Sequence, residues 1–175
     1  MNTGHGGEAV VVRPAAFATD LPALSALVVD YMTWAVGRLQ DEYEQTLPVP
    51  DADAAAESLR KFNAPGAVLL TACSAGQLVG MGALRTLEQG VAEVKRMYLK
   101  PAYQGRGWGS LLLERLTEQA RDTLGAATVR LDTCRFMVES QRLYERRGFT
   151  ERTPYEGTEI PGELQRYWRF YERKL

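Results

Sequence analysis

Hydrophobic positions along this chain fall first into a helical rhythm, then into three strand-like runs, then into alternating helix and strand signals. In TDLPALSALVVDYMTWAVGRL (19–39), Leu24, Leu27, Val28, Tyr31 and Ala35 mark one helix face. Thr19 or Asp20 is the expected N-cap and Pro22 fits the first turn. AVVVRPA (9–15) reads as a short strand stopped by Pro14, and residues 1–8 as a disordered tail. An acidic, proline-bearing loop is expected over 41–51 and a second helix over 52–62. Strands follow at 67–75 and 77–87, joined by a tight turn at Ala75-Gly76-Gln77, and at 90–99. WGSLLLERLTEQARDTL (108–124) is a helix that buries Leu112, Leu113, Leu116, Ala120 and Leu124 and stops at Gly125. A strand at 127–133, a helix at 137–148 closed by Gly148, a turn-rich stretch at 150–163 and a final strand complete the chain. That order predicts an α/β fold, with a mixed and mostly antiparallel sheet flanked by helices in a single domain over 9–175.

Composition narrows the function more than the fold. With 175 residues, 45% hydrophobic and 25% charged, the chain matches an ordinary globular protein. Lys plus Arg number 21 against 22 Asp plus Glu, a balance that argues against nucleic acid or an anionic membrane as partner. No apolar run approaches the roughly 20 residues that span a bilayer. The start lacks the basic and apolar segments of a signal peptide, so the cytoplasm is the expected location. Cys73 and Cys134 read as reduced, packed thiols. His5, in the tail, is the sole histidine, which disfavours a zinc site or a Ser-His-Asp triad; no metal is expected.

The chemistry concentrates in YQGRGWGSLLLERL (103–116), where Gly105, Gly107 and Gly109 alternate just before a helix. A helix start offers free N–H groups and partial positive charge, and missing Cβ atoms let a diphosphate approach them. Arg106 could add a charge-assisted contact. A P-loop would need Gly-Lys-Ser/Thr, and Trp108-Gly109-Ser110 has no lysine. A dinucleotide fingerprint belongs in the first βα turn with G-x-G-x-x-G spacing, whereas this loop is mid-chain and G-x-G-x-G.

Taken with VKRMYLKPAYQGRGWGSLLLERL, VRLDT and LYERRGF, the loop resembles the GNAT family of N-acetyltransferases, whose Gln/Arg-x-x-Gly-x-Gly/Ala pattern is matched by Gln104 to Gly109. The resemblance implies acetyl-coenzyme A as cosubstrate and direct attack by an amine, without an acyl-enzyme. It implies that the backbone of Met97, Tyr98 and Leu99 binds the pantetheine arm. The pyrophosphate would lie on Gln104, Gly105, Arg106, Gly107, Trp108, Gly109 and Ser110. The strands at 90–99 and 127–133 become a splayed parallel pair that admits the thioester. A backbone N–H near Tyr98 or Leu99 would stabilise the oxyanion.

Glu93 matches the position of a catalytic glutamate in many members, and the direct-attack chemistry calls for a base because a lysine-like amine titrates at about 10.4. The i, i+2 spacing of Glu93 and Lys95 is equally that of a solvated strand face. Tyr144 matches the tyrosine that protonates the departing thiolate, and otherwise reads as a packed aromatic. Met137 stands where many members carry a cofactor-binding asparagine, and Ser140 where alanine is common.

The acceptor should be read by the least family-like segments, 34–51 and 150–165. Both are acidic, which would favour a cationic amine if they converge and is equally the composition of a solvated surface; Trp34 and Tyr155 could add an aromatic wall, with packing the stronger reading of Trp34. The expected acceptor is a primary amine of a small molecule, such as an amino acid. Acetylation of protein N-termini or lysines and a non-catalytic acetyl-coenzyme A-binding module remain the alternatives. A homodimer is left open.

Overall fold

Hairpin-linked strands build the first half of the sheet in a computed structural model that describes residues 9–175; the tail at 1–8, with its expected disorder and His5, lies outside the described residues. Strand β1 (Val10–Pro14) pairs antiparallel with β2 (Ala67–Ser74), which pairs with β3 (Gln77–Glu88), which pairs with β4 (Val91–Leu99). Ala75 and Gly76 take the β2–β3 turn with φ of 47° and 76°, the left-handed pair that matches strand twist in a two-residue hairpin.

Strand β5 (Thr128–Cys134) then joins β4 in parallel, β7 (Trp168–Lys174) lies antiparallel to β5, and β6 (Thr150–Arg152) closes the edge. The seven-stranded order is β1-β2-β3-β4-β5-β7-β6, the mixed, mostly antiparallel sheet expected from the sequence.

Period-two alternation sends side chains to two cores. Helices α1 (Phe17–Tyr43) and α2 (Ala52–Arg60) cover one face, where Leu24, Leu27, Val28 and Leu59 meet Met81 and Ala83. Helices α3 (Trp108–Asp122) and α4 (Val138–Arg146) cover the other, where Leu112, Leu113, Leu116 and Tyr144 meet Leu84, Val94 and Leu131. Among the described residues no helix is long and apolar enough to cross a membrane.

Several boundaries differ from the sequence reading. Helix α1 starts after Ala16, so neither Thr19 nor Asp20 is its N-cap. Asp20 instead reaches back from the first turn to accept the Ala16 N–H at 2.8 Å and two Arg13 hydrogen bonds at 2.6 and 3.0 Å, tying the helix to β1. The same helix continues to Tyr43, into the expected loop, because Leu39 is buried and Arg38 pairs with Glu42 one turn on at 2.6 Å. The turn-rich stretch contains the short strand β6, and the 3-10 turn Gly162–Tyr167 delays the last strand to Trp168.

Candidate active site

Strands β4 and β5 stay paired for four residues, Val91↔Thr128 to Val94↔Leu131, and then separate. Beyond that point β5 keeps β7 to Cys134, and β4 keeps β3 to Leu99. The parting coincides with a bulge, since Met81 faces Tyr98 while Ala83 faces Lys95. Arg96 takes up the extra length with a left-handed φ of 55°, a conformation that costs a non-glycine residue about 1–3 kcal/mol and concentrates at functional sites. Two glycines of β3 make room: a Cβ on Gly80 would lie 2.8 Å from the Tyr98 carbonyl oxygen, and one on Gly82 2.7 Å from Leu116.

A cleft of about 910 Å³ runs through this fork. Met97, Tyr98 and Leu99 line its middle; Gln104, Gly105, Gly107, Gly109 and Ser110 line one end; Tyr31, Trp34, Phe136 and Trp168 line the other. The structure therefore brings most of the sequence-predicted cofactor residues to one continuous wall.

Within the glycine loop the three glycines have different reasons. Gly105 and Gly107 adopt φ of 75° and 80° with open space where a Cβ would be, and Gly107 is the N-cap residue of α3 with no side chain to occupy its N–H groups. Gly109, expected to clear space for an anion, lines the cleft and also sits beside α4, where a Cβ would lie 3.4 Å from Leu143. Gln104 fastens the loop by donating to the Leu99 carbonyl at 2.8 Å. Trp108 is buried against Ala72, Val79 and Leu99. Arg106 lies over Tyr103 and Trp108, its guanidinium carbon 5.3 and 5.4 Å from the ring centres, so neither Arg106 nor Trp108 is part of the cleft wall.

Glu93 shares a strand face with Lys95, and that face is buried rather than solvated. Its carboxylate is 0% exposed, receives Arg85 at 2.5 Å and the Tyr155 hydroxyl at 2.9 Å, and is not part of the cleft wall. Lys95 stands between Glu93 and the fork: its Nζ is 3.8 Å from Glu93, 3.5 Å from Glu159 and 3.1 Å from Asp132. Burial opposes its charge, but Asp132, Glu93 and Glu159 together hold the Lys95 pKa above the usual lysine value.

Asp132 was not singled out from the sequence, where it is one acid within VRLDT. It lines the cleft on the β5 side of the fork. Burial raises its pKa despite Lys95, which makes it a better proton acceptor than a solvated aspartate. Tyr144 also lines the cleft, and burial pushes its phenol up, so it stays protonated near neutrality. Met137 accepts from the Thr133 hydroxyl through its sulfur at 3.4 Å, where an asparagine would offer an amide. Gln141, also missed, donates to the Cys134 and Arg135 carbonyls at 3.0 and 2.9 Å and so fixes α4 to the end of β5. Burial pushes the Cys134 thiol up to about 11, leaving it protonated.

The segments 34–51 and 150–165, expected to read the acceptor, do converge on the cleft, but not as an acidic surface. Of the acids at 41–44 and 151–163, Glu159 alone lines it, and Lys61 at 2.9 Å, Lys95 at 3.5 Å and Arg85 at 3.6 Å surround it. Burial opposes the Glu159 charge, yet these cations bring its pKa down to about 2. Trp34, for which packing is the stronger expectation, lines the aromatic end, edge-on to Phe136 at 5.6 Å, whereas Tyr155 is buried beneath Glu93 and stays off the wall.

Comparison with known proteins agrees with this geometry. The sequence profile of the Acetyltransferase (GNAT) family matches residues 36–149. An IAA acetyltransferase of Azospirillum brasilense is 35% identical over 98 residues, covering 55% of this chain and 63% of its own length. The fold is that of a GNAT-family acetyltransferase from Staphylococcus aureus, with a TM-score of 0.73 at 16% identity over 95% of this chain and 99% of the other. A PaiA N-acetyltransferase from Thermoplasma acidophilum, solved in complex with coenzyme A, superposes with a TM-score of 0.67 at 18% identity, covering 95% and 99%.

Proposed function

From the premise that the chain belongs to the GNAT acetyltransferase family, we propose that it transfers acetyl from acetyl-coenzyme A to a primary amine of a small molecule by direct attack. The observation that carries this reading is the single cleft joining the glycine loop, the β4/β5 fork and the aromatic end.

In this reading the β5-facing backbone of Met97, Tyr98 and Leu99, left without a strand partner beyond Val94, holds the pantetheine arm as an added strand would. The pyrophosphate rests on the N–H groups of Gly105, Gly107, Gly109 and Ser110 at the start of α3. The amine nitrogen attacks the thioester carbonyl, the C–S bond breaks, Asp132 takes the proton from nitrogen, and the Tyr144 phenol gives one to the sulfur. Asp132 is assigned the base because it reaches the cleft. Glu93 acts through Lys95, holding the ammonium that orients Asp132. The high thiol pKa of Cys134 supports transfer without a covalent acyl-enzyme.

The test is to incubate the protein with acetyl-coenzyme A and a panel of small amines, following thiol release and N-acetyl product by mass spectrometry. Product formed with at least one free amine supports the proposal. Tight cofactor binding with no acetylated amine overturns it in favour of a binding module, and acetylated protein lysines or N-termini alone overturn the small-molecule acceptor.

A further inference from the structure

The charges along the cleft wall can be sorted by what already neutralises them. Asp132 is held by Lys95 at 3.1 Å, Glu139 by Arg142 at 2.6 Å, and Glu159 by Lys61 at 2.9 Å. Arg96 and Arg146 remain, and neither has a carboxylate at ion-pair distance among the described residues. Arg146 lies near the C-terminal end of α4, one turn beyond Leu143, which packs on Gly109 at the loop end of the cleft. Arg96 belongs to the opposite end. It is held in a left-handed conformation at the bulge, directly follows Lys95 at the fork, and its charge acts on the hydroxyl of Tyr31 in α1.

Around Arg96 the wall is apolar and aromatic. Tyr31 lies 5.3 Å from Tyr98 and 6.2 Å from Trp34, and Trp34 meets Phe136 edge-on at 5.6 Å. Trp34 is 44% exposed, which is unusual for so large a ring and leaves a face available. A half-buried guanidinium without an anion, one residue from the reaction centre and beside an open aromatic surface, is suited to a ligand with a carboxylate close to its amine and an apolar group beyond it. A polycation has no free acid to meet here.

We propose, resting on the transferase reading above, that the acceptor is an α-amino acid with an apolar or aromatic side chain. Its carboxylate binds Arg96, its amine lies at Asp132 in the fork, and its side chain lies on the Trp34–Phe136 wall.

The experiment is steady-state kinetics with saturating acetyl-coenzyme A and three matched acceptors: L-phenylalanine, L-phenylalaninamide and 2-phenylethylamine. The wild type should favour phenylalanine over both carboxylate-free compounds by about 100-fold in kcat/KM, the size of effect expected when a buried charged partner is lost. Arg96→Gln should collapse that ratio to within a few-fold of unity, mainly through KM for phenylalanine, and Arg96→Lys should keep part of it. Acetyl-coenzyme A titration of each variant verifies that the fork is intact. Equal or better turnover of 2-phenylethylamine, or an Arg96→Gln loss that is the same for all three, overturns the acceptor class alone. A protein that binds acetyl-coenzyme A and acetylates none of the three or any other amine overturns the transferase reading, and the acceptor class with it.

Discussion

Lys95 and Asp132 face each other across the fork at 3.1 Å, as the first residues beyond the last parallel pair, Val94↔Leu131. A cation and an acid thus stand where the sheet opens, at the point where an amine would meet a thioester. Asp132→Asn should lower turnover by about 10²–10⁴-fold near neutrality while acetyl-coenzyme A affinity stays within a few-fold. Raising the pH should recover part of the loss, because free amine then forms without help. A variant whose pH–rate profile overlays that of the wild type would remove Asp132 from proton transfer.

Tyr144→Phe should reduce kcat without weakening cofactor binding, since a phenol that donates to the departing sulfur acts chiefly in the transition state. Thiol release under single-turnover conditions measures this directly. Undiminished release would leave Tyr144 as a packing residue between Phe149 and Tyr171, whose ring centres lie 6.0 and 6.1 Å away.

Glu93 is placed as a buried anchor, so Glu93→Gln should be felt first in stability. Removing one partner of a buried ion pair costs about 3 kcal/mol or more, and Arg85 at 26% exposure recovers part of that from water. Urea denaturation should show a lower midpoint at unchanged slope. An unchanged midpoint combined with a large, pH-reversible loss of rate would instead return the role of base to Glu93.

Gly107→Asp adds bulk and negative charge at a φ of 80° beside the N–H groups of α3, and acetyl-coenzyme A binding by calorimetry should weaken at least tenfold, about 1.4 kcal/mol. Gly125→Asp, at a φ of 63° with equally open space, carries the backbone strain without proximity to the loop and should bind normally. Equal affinities for the two variants would detach the glycine loop from the cofactor.

Glu159 has its folded-state pKa lowered to about 2 from 4.5, so the stability it adds is complete above about pH 4.5 and is lost as the pH falls toward 2. Glu159→Gln should therefore lower stability in the neutral region and flatten the acid limb across that window, so that the variant and the wild type converge as the pH falls toward 2. Its side chain is 42% exposed, so the effect should be modest and shrink in high salt. An acid limb identical to that of the wild type would mean that Lys61, Lys95 and Arg85 do not discriminate its charged form.

What the sequence determined by itself was local. The 3.6-residue stripes of α1 and α3, the alternation of the strands, the Ala75-Gly76 turn and the glycine loop before α3 all depend on neighbours within a few positions. This wall of the cleft was legible for the same reason, because Met97 to Ser110 is one continuous strand-loop-helix segment. Tertiary structure decided the charges. Period two puts Glu93 and Lys95 on one face but does not say what covers it; Tyr155, from the far end of the chain, seals Glu93 off, and β5 brings Asp132 to Lys95. Likewise the acids near 159 suggest a site for cations until Lys61 and Arg85 arrive to neutralise Glu159. Whether a carboxylate is a base, an anchor or a paired surface group depends on desolvation and on partners many residues away, and neither quantity is written in local order.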